Sequence, residues 1–169
     1  MSVEQFPSLA NHFLIAMPEL KDPNFSRTVT LICQHDANGA LGIVINRTVE
    51  NLTIGDVLEQ FELPRDQQHP VVQQPIFVGG PVQTELGLVL HESLGHWQST
   101  LTVGDQLGLT SSRDVLESIA CGTGPNSCLM ALGYAGWGAG QLDMEMQQNA
   151  WLSVAADHTI LFDTAPEAR

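Results

Sequence analysis

Basic residues are scarce in this sequence. Six lysines and arginines stand against nineteen aspartates and glutamates, and the 169 residues carry a formal net charge of −13. Sequence-independent affinity for DNA or RNA comes from clustered cations that displace counterions from phosphates. The sequence has a single lysine, Lys21, and it therefore lacks a phosphate-binding loop of the kind that needs a lysine. The composition therefore predicts a protein that does not bind nucleic acid directly.

Cysteines and long apolar runs are equally few. The three cysteines, Cys33, Cys121 and Cys128, are an odd number at irregular spacing, which does not suit a disulfide framework. The N-terminus lacks the basic and apolar segments of a signal peptide. Residues 128–140 form the longest stretch without a charged or strongly polar group, and it is too short and too rich in glycine to span a bilayer. We expect a cytoplasmic protein with reduced thiols and no membrane association.

Short apolar segments and frequent turn residues make up the rest of the chain. Apolar residues account for 43% of it, with fifteen glycines and nine prolines. Strand-like runs outnumber helix-like ones and do not alternate with them regularly, which favours an α+β fold over a doubly wound α/β fold. The length fits one domain over residues 1–169.

Local signals place several elements. Thr53 and Asp56 have the spacing of a capping box and predict a helix. Runs at 76–82 and 86–91 predict strands around a short turn, and runs at 97–103 and 106–110 predict a hairpin. Ser111 is expected to cap a second helix. A bend at 136–140 is expected to lead into a third helix over 141–148.

The clearest hairpin joins residues 28–35 to residues 40–47. Asn38–Gly39 is a preferred two-residue turn, and it would pair Cys33 with Val44 and His35 with Gly42. Side chains two apart on a strand share a face, so Cys33 and His35 would lie together. An imidazole beside a thiol can lower its pKa and create a nucleophile or a redox sensor. The alternative is a small buried cysteine near a histidine at a strand end.

Glycine-rich bends are the other candidate sites. A strand followed by Gly136, Trp137 and Gly138 leads into a helix, a context in which backbone N–H groups can hold an anion. The spacing is wrong for a dinucleotide fingerprint, and close packing around the tryptophan is the alternative. Gly79–Gly80 forms either a second anion-binding bend or a bulge.

Metal-binding patterns fail on spacing. His91 and His96 are five apart, whereas two histidines on one helical face must be four apart. Cys121 and Cys128 do not have zinc-knuckle spacing. We therefore predict no metal and no cofactor.

Several segments together resemble the AlgH/YqgE family of small bacterial proteins over residues 9–163. The segments that carry the resemblance are Asn11–Pro18, Gly42–Arg47, Gly79–Val82, Thr110–Leu116, Leu132–Leu142 and Trp151–Leu152. The resemblance implies a mostly antiparallel, branched sheet with a small barrel-like part and a few short helices packed around it. It implies no established activity, although one branch carries a label as a transcriptional regulator of alginate synthesis. The sequence departs from the family at Gln34, where an acidic residue often precedes His35.

These observations leave two hypotheses. The first is a non-enzymatic binding or regulatory protein for a small anionic ligand or a protein partner. Its candidate ligand-binding residues are Asn46, Arg47, Gly79, Gly80, Ser111, Gly136, Trp137 and Gly138. The second is a thiol-dependent enzyme or redox sensor that uses Cys33 and His35. Whether the protein is an enzyme stays open, and the sequence indicates no oligomeric state.

Overall fold

Short strands pair into one curled sheet in a computed structural model of the chain. The structure describes residues 9–18, 27–60, 62–63, 73–92, 100–103, 107–111, 113–120, 128–157 and 159–163. Within those ranges the strands are β1 His12–Ala16, β2 Val29–Asp36, β3 Gly39–Val44, β4 Thr48–Thr53, β5 Pro75–Val78, β6 Val82–Glu92, β7 Thr100–Val103, β8 Leu107–Thr110, β9 Cys128–Trp137 and β10 Trp151–Ala155. The helices are α1 Ile54–Gln60, α2 Arg113–Ala120 and α3 Gln141–Gln147, and a π-helical turn follows at Thr159–Asp163.

Strand β9 is the branch point of the sheet. The main strand order is β10-β1-β2-β3-β9-β6-β8-β7, with β5 and β4 off this path. Along one side of β9, β5 pairs in parallel near Met130, and β3 pairs antiparallel near Gly136. Between the two, the Gly79 amide donates to the Leu132 carbonyl at 2.9 Å, while its own carbonyl accepts from Val44 N at 2.9 Å. Gly79, which directly follows β5, is thus hydrogen-bonded to both β9 and β3.

The sheet curls so strongly that β7 contacts β2, and this part of the sheet has the shape of a half-barrel. One apolar cluster fills its interior, with contributions from β1, β2, β3, β5, β6, β7, β8 and β9. A second cluster lies between the sheet, α1 and α2, and a third lies beneath α3. The fold is mixed, with far more strand than helix, and most strand pairs are antiparallel.

The start of α1 follows from the capping box in the sequence. Asp56 Oδ2 accepts from the Thr53 amide at 3.0 Å, and the Asp56 amide donates to Thr53 Oγ1 at 3.3 Å. These reciprocal bonds satisfy donors that a helix start leaves unpaired. The predicted capping box is confirmed, and it orients Val57 and Leu58 toward the second cluster.

The hairpin of β2 and β3 is present, but the predicted register is wrong. Asp36 pairs with Gly39, so the turn residues are Ala37 and Asn38. Asp36 Oδ1 accepts from the Asn38 amide at 2.8 Å, which stabilises this earlier turn. Further along, Ile32 pairs with Gly42 and Gln34 with Leu41, so Cys33 is an unpaired bulge residue.

Two other predictions need correction. The bend expected from Gly136 begins later, because β9 continues through Trp137 while it pairs with β3. The turn predicted at 83–85, between strands at 76–82 and 86–91, lies at 79–81 instead, because β5 ends at Val78 and β6 begins at Val82; both strands pair with β9. The predicted hairpin of β7 and β8 is confirmed, with its turn at 104–106 outside the described residues.

A candidate ligand-binding cavity

A cavity of about 330 Å³ lies between α1, α2 and the sheet. Ligand sites in proteins usually have volumes of about 300–1,000 Å³ and mostly apolar walls. The apolar lining residues are Leu52, Val57, Leu86, Val89, Val115, Leu116, Met130 and Leu132. The polar lining residues are Gln60, Glu85, Thr110 and Ser111, and Gly87 completes the lining. The cavity therefore has the size and the wall chemistry of a site for a small organic molecule.

Gly87 leaves room for the cavity because it places no side chain on its strand at this point. A Cβ added to Gly87 would lie 3.2 Å from the Met130 methyl carbon, at the far end of a flexible side chain. Val57 from α1 and Val115 from α2 both line the cavity and are almost fully buried. The two helices cover the sheet at their apolar faces but leave this gap between them.

A closed polar network forms part of the cavity floor. Thr110 Oγ1 lies 2.7 Å from His91 Nε2 and 2.8 Å from Thr100 Oγ1. Thr110 and His91 are fully buried, and the His91 ring lies so close to Gly108 that a Cβ there would approach Cε1 at 2.5 Å. Since the Thr110 hydroxyl already has two partners, it brings no unsatisfied polar group to the floor.

The mouth of the cavity is polar and carries one formal charge. Gln60, Glu85 and Ser111 are exposed, whereas Thr110 and most of the apolar walls are buried. Glu85 is the one ionisable side chain among the lining residues that the structure describes. A ligand that enters therefore meets oxygen-bearing groups first and apolar groups deeper inside.

Of the predicted ligand-binding residues, the structure places Ser111 at this cavity. Asn46 instead ties the end of β3 to the start of β2: its Oδ1 accepts from Val29 N at 2.9 Å, and its Nδ2 donates to the Arg27 carbonyl at 3.0 Å. The Arg47 carbonyl accepts from Val78 N at 2.9 Å. These bonds of Asn46 and Arg47 hold strands together, and neither residue lines the cavity.

The two glycine-rich bends hold backbone segments close to one another. A Cβ on Gly80 would collide with the Tyr134 backbone, so this bend is packed directly against β9. Gly136 lies in β9 and pairs with Leu41 of β3, and the Gly138 amide donates to Gln141 Oε1 at 2.9 Å. Trp137 lines a shallower, polar cleft with the β2–β3 turn. Neither bend lines the cavity between α1 and α2, and the predicted anion site stays a prediction.

The shared face expected for Cys33 and His35 is wrong. The bulge shifts the alternation of β2, so Cys33 packs inside the half-barrel while His35 points to the side of α3. The His35 ring accepts from Leu9 N through Nδ1 at 3.0 Å, and its Nε2 lies 3.2 Å from Asp143 Oδ1. A carboxylate therefore does lie beside this histidine, although it comes from α3 and not from position 34.

Both described cysteines are buried free thiols. Burial raises the pKa of Cys33 to about 12 and that of Cys128 to about 11, because the surrounding apolar groups disfavour a thiolate. Cys128 pairs with His91 across the sheet, and Cys121 lies outside the described residues. Neither described thiol has the electropositive, accessible surroundings that activate a cysteine.

The described residues contain neither a metal-binding cluster nor a membrane-spanning helix. No group of three or more His, Cys, Asp or Glu side chains there is arranged to hold a metal ion; His96 lies outside this part of the chain. No helix in the same residues is long and apolar enough to cross a membrane.

Sequence reasoning missed the cavity and its residues Gln60, Glu85 and Thr110. Two features of the sequence are consistent with a cavity at this place. Gly87 interrupts an apolar strand, and two short amphipathic segments flank that strand in the sequence. What the sequence does not show is that both helices pack on the same side of it.

The cavity thus lies in a mostly antiparallel β protein with a branched, curled sheet. Comparisons with known proteins identify the family to which the chain belongs. A model of the AlgH-like family matches residues 13–169. A UPF0301 protein of Nitrosococcus oceani is 51% identical over 159 residues, which are 94% of this chain and 84% of that protein. A UPF0301 protein of Saccharophagus degradans is 52% identical over 165 residues, 98% of this chain and 80% of the relative. The chain therefore belongs to the AlgH-like family, as its motifs indicated.

Solved structures agree with this assignment. The solution structure of the AlgH protein from Pseudomonas aeruginosa has a TM-score of 0.80 and 48% identity, over 99% of this chain and 87% of that one. The crystal structure of a Corynebacterium diphtheriae protein, DIP2367, has a TM-score of 0.71 over 94% of this chain and 82% of its own. At 17% identity, the second structure shows a shared fold.

Proposed function

We propose that this chain is a non-enzymatic cytoplasmic binding protein that takes a small, mainly apolar ligand in the cavity between α1 and α2. The observation that carries the proposal is the cavity itself, with eight apolar lining residues and a polar mouth. An engineered cavity of about 150 Å³ holds benzene, so this one has room for roughly ten to fifteen carbon atoms. The free thiols of Cys33 and Cys128 are consistent with a reducing compartment.

Binding is favoured over catalysis because the cavity presents no activated nucleophile. Thr110 is the hydroxyl that has an imidazole within hydrogen-bond distance, and it is fully buried. Ser111 is exposed at the mouth. Neither described thiol lines the cavity. The walls supply mainly apolar contact, and the one carboxylate among the described lining residues, Glu85, is exposed at the mouth, which suits recognition of a ligand.

Direct DNA binding is not part of the proposal. The net charge of −13 repels phosphate, and a regulatory role would act through the bound ligand or a protein partner. Retardation of a DNA fragment in a gel at low salt, where cation contacts act most strongly, would contradict this.

The test uses n-alkanols as neutral probes and the Met130 methyl group as the reporter. At about −0.3 kcal/mol per heavy atom, a ligand of this size binds in the millimolar range, which NMR titration detects. We expect 1-octanol to shift the Met130 methyl resonance saturably. Met144 is 58% exposed on α3 and serves as an internal control that should not shift.

A matched pair of variants locates the binding. Gly87→Leu should fill the cavity and weaken binding by about tenfold or more, because its new side chain occupies the ligand volume. Gly136→Leu places the same side chain on another strand, where a Cβ approaches nothing closer than 3.8 Å, and should bind as the native chain does. Unsaturable shifts in the native protein, or equal binding in Gly87→Leu, would refute the proposal.

A further inference from the structure

We propose that the ligand of this cavity is an amphiphilic organic cation, with an apolar body inside and an ammonium-type head against Glu85. The inference rests on the proposed function and adds the chemical class of the ligand. Its starting point is that the single formal charge among the lining residues is negative. The apolar residues lie deeper, so the geometry orients a ligand with its charged end outward.

Position supports a role for Glu85 in selecting the head group. Glu85 precedes Leu86 and Gly87 on β6, and all three line the cavity. Its side chain is exposed, so a cation paired with it keeps part of its hydration while its tail enters the apolar space. Gln60 on α1 adds an amide oxygen at the same mouth, and amide and carboxylate oxygens are both acceptors for ammonium hydrogens.

The net charge of the whole chain also favours a cationic ligand over an anionic one. A net charge of −13 raises the local concentration of cations and lowers that of anions. The N-terminus of α2 lies near the mouth at Ser111, and a helix start attracts anions. Asp114 in its first turn already supplies a negative charge there. Among the described residues, the negative charges of Glu85 and Asp114 thus oppose the attraction of this helix start for a carboxylate or a phosphate.

The experiment compares three ligands with the same eight-carbon tail at pH 7: octylammonium, 1-octanol and octanoate. The readout is again the saturable shift of the Met130 methyl resonance, with Met144 as the surface control. Because an exposed ion pair is weak, we expect octylammonium to bind about two- to fivefold more tightly than octanol. Octanoate should bind least tightly, since its head would face Glu85.

Two charge-removing variants separate local from general electrostatics. Glu85→Gln keeps the shape of the side chain and should bring octylammonium to the affinity of octanol. Glu50→Gln removes an equally exposed acid on β4 that does not line the cavity, and should preserve the preference. Both side chains are exposed, so both variants should fold.

Each outcome has a distinct meaning. Preference for octylammonium that is lost in Glu85→Gln and kept in Glu50→Gln supports the inference. Equal binding of all three ligands, or tighter binding of octanoate, overturns the cationic class but leaves the cavity as a binding site. Loss of the preference in both variants overturns the role of Glu85. If none of the ligands shifts the Met130 methyl saturably, the proposed function fails as well.

Discussion

At the scale of single residues, burial determines what the two described thiols can do. The pKa of Cys33 is raised to about 12 and that of Cys128 to about 11 by desolvation. Both thiols therefore stay protonated and shielded at neutral pH. In a Cys121→Ser background, we expect an aromatic disulfide reagent to label neither thiol in the native protein at pH 7, and to label both after unfolding.

The same shift has a consequence at alkaline pH. The folded-state pKa of Cys33 lies above its ordinary value of 9.0, so the unfolded chain loses this proton first as the pH rises. The contribution to stability is fully present below pH 9 and is lost between pH 9 and about 12. Labelling of the native protein at pH 7 at the rate of free cysteine would contradict this account and revive the thiol-dependent hypothesis.

The candidate residues show why sequence patterns locate chemistry incompletely. Ser111 was predicted as a candidate and lies at the cavity, because it directly follows β8 and precedes α2, and both elements line the cavity. Cys33 and His35 were predicted to share a face, but Cys33 is itself the bulge residue, and the bulge places the two side chains on different faces. A bulge depends on the partner strand and on the turn, so spacing along β2 alone does not reveal it.

At the scale of elements, a carboxylate clamp formed by the half-buried Glu145 attaches α3 to the sheet. Glu145 Oε1 accepts from the indole Nε1 of Trp137 at 3.2 Å and from that of Trp151 at 3.0 Å, while Oε2 accepts from Gln141 Nε2 at 2.9 Å. The two indole rings meet edge to face, with centroids 6.1 Å apart. One side chain thus satisfies the donors of two different strands.

Removal of this clamp tests how α3 is held. Glu145→Ala leaves two partly buried indole donors without their acceptor, and we expect it to lower the free energy of unfolding by about 2–4 kcal/mol. Gln147→Ala, at an exposed position of the same helix, should change it by less than about 0.5 kcal/mol. Chemical denaturation followed by tryptophan fluorescence measures both. Equal effects of the two substitutions would show that helix propensity, and not the clamp, holds α3.

The positions of many strands and helices were predictable from the sequence, whereas the pairing of distant strands was not. The capping box at Thr53 and the hairpin of β7 and β8 depend on residues within a few positions of each other. The pairing of β5 with β9 joins Ile76 to Met130 across more than fifty residues. Periodicity identifies both strands but carries no information on which strands pair.

At the scale of the whole molecule, the branch of the sheet depends on two backbones that approach too closely for side chains. Gly133 in β9 has a φ of 76°, and a Cβ there would lie 2.6 Å from the Gly80 carbonyl oxygen and 3.0 Å from that of Val82. From the sequence, Gly79–Gly80 is predictable as an anion-binding bend or a bulge, because nothing in the sequence shows that this bend crosses β9. The glycines bring together the half-barrel and the layer that contains the cavity.

Substitution at this crossing should therefore destabilise the fold as a whole. We expect Gly133→Ala to lower the free energy of unfolding by more than about 3 kcal/mol, because a positive φ and a collision with fixed backbone add together. Gly136→Ala, three residues further along the same strand, meets no atom closer than 3.8 Å and should cost less than about 1 kcal/mol. Urea denaturation followed by circular dichroism compares the two. Similar stabilities would mean that the strands can separate at the branch, and that the cavity layer and the half-barrel do not depend on this crossing.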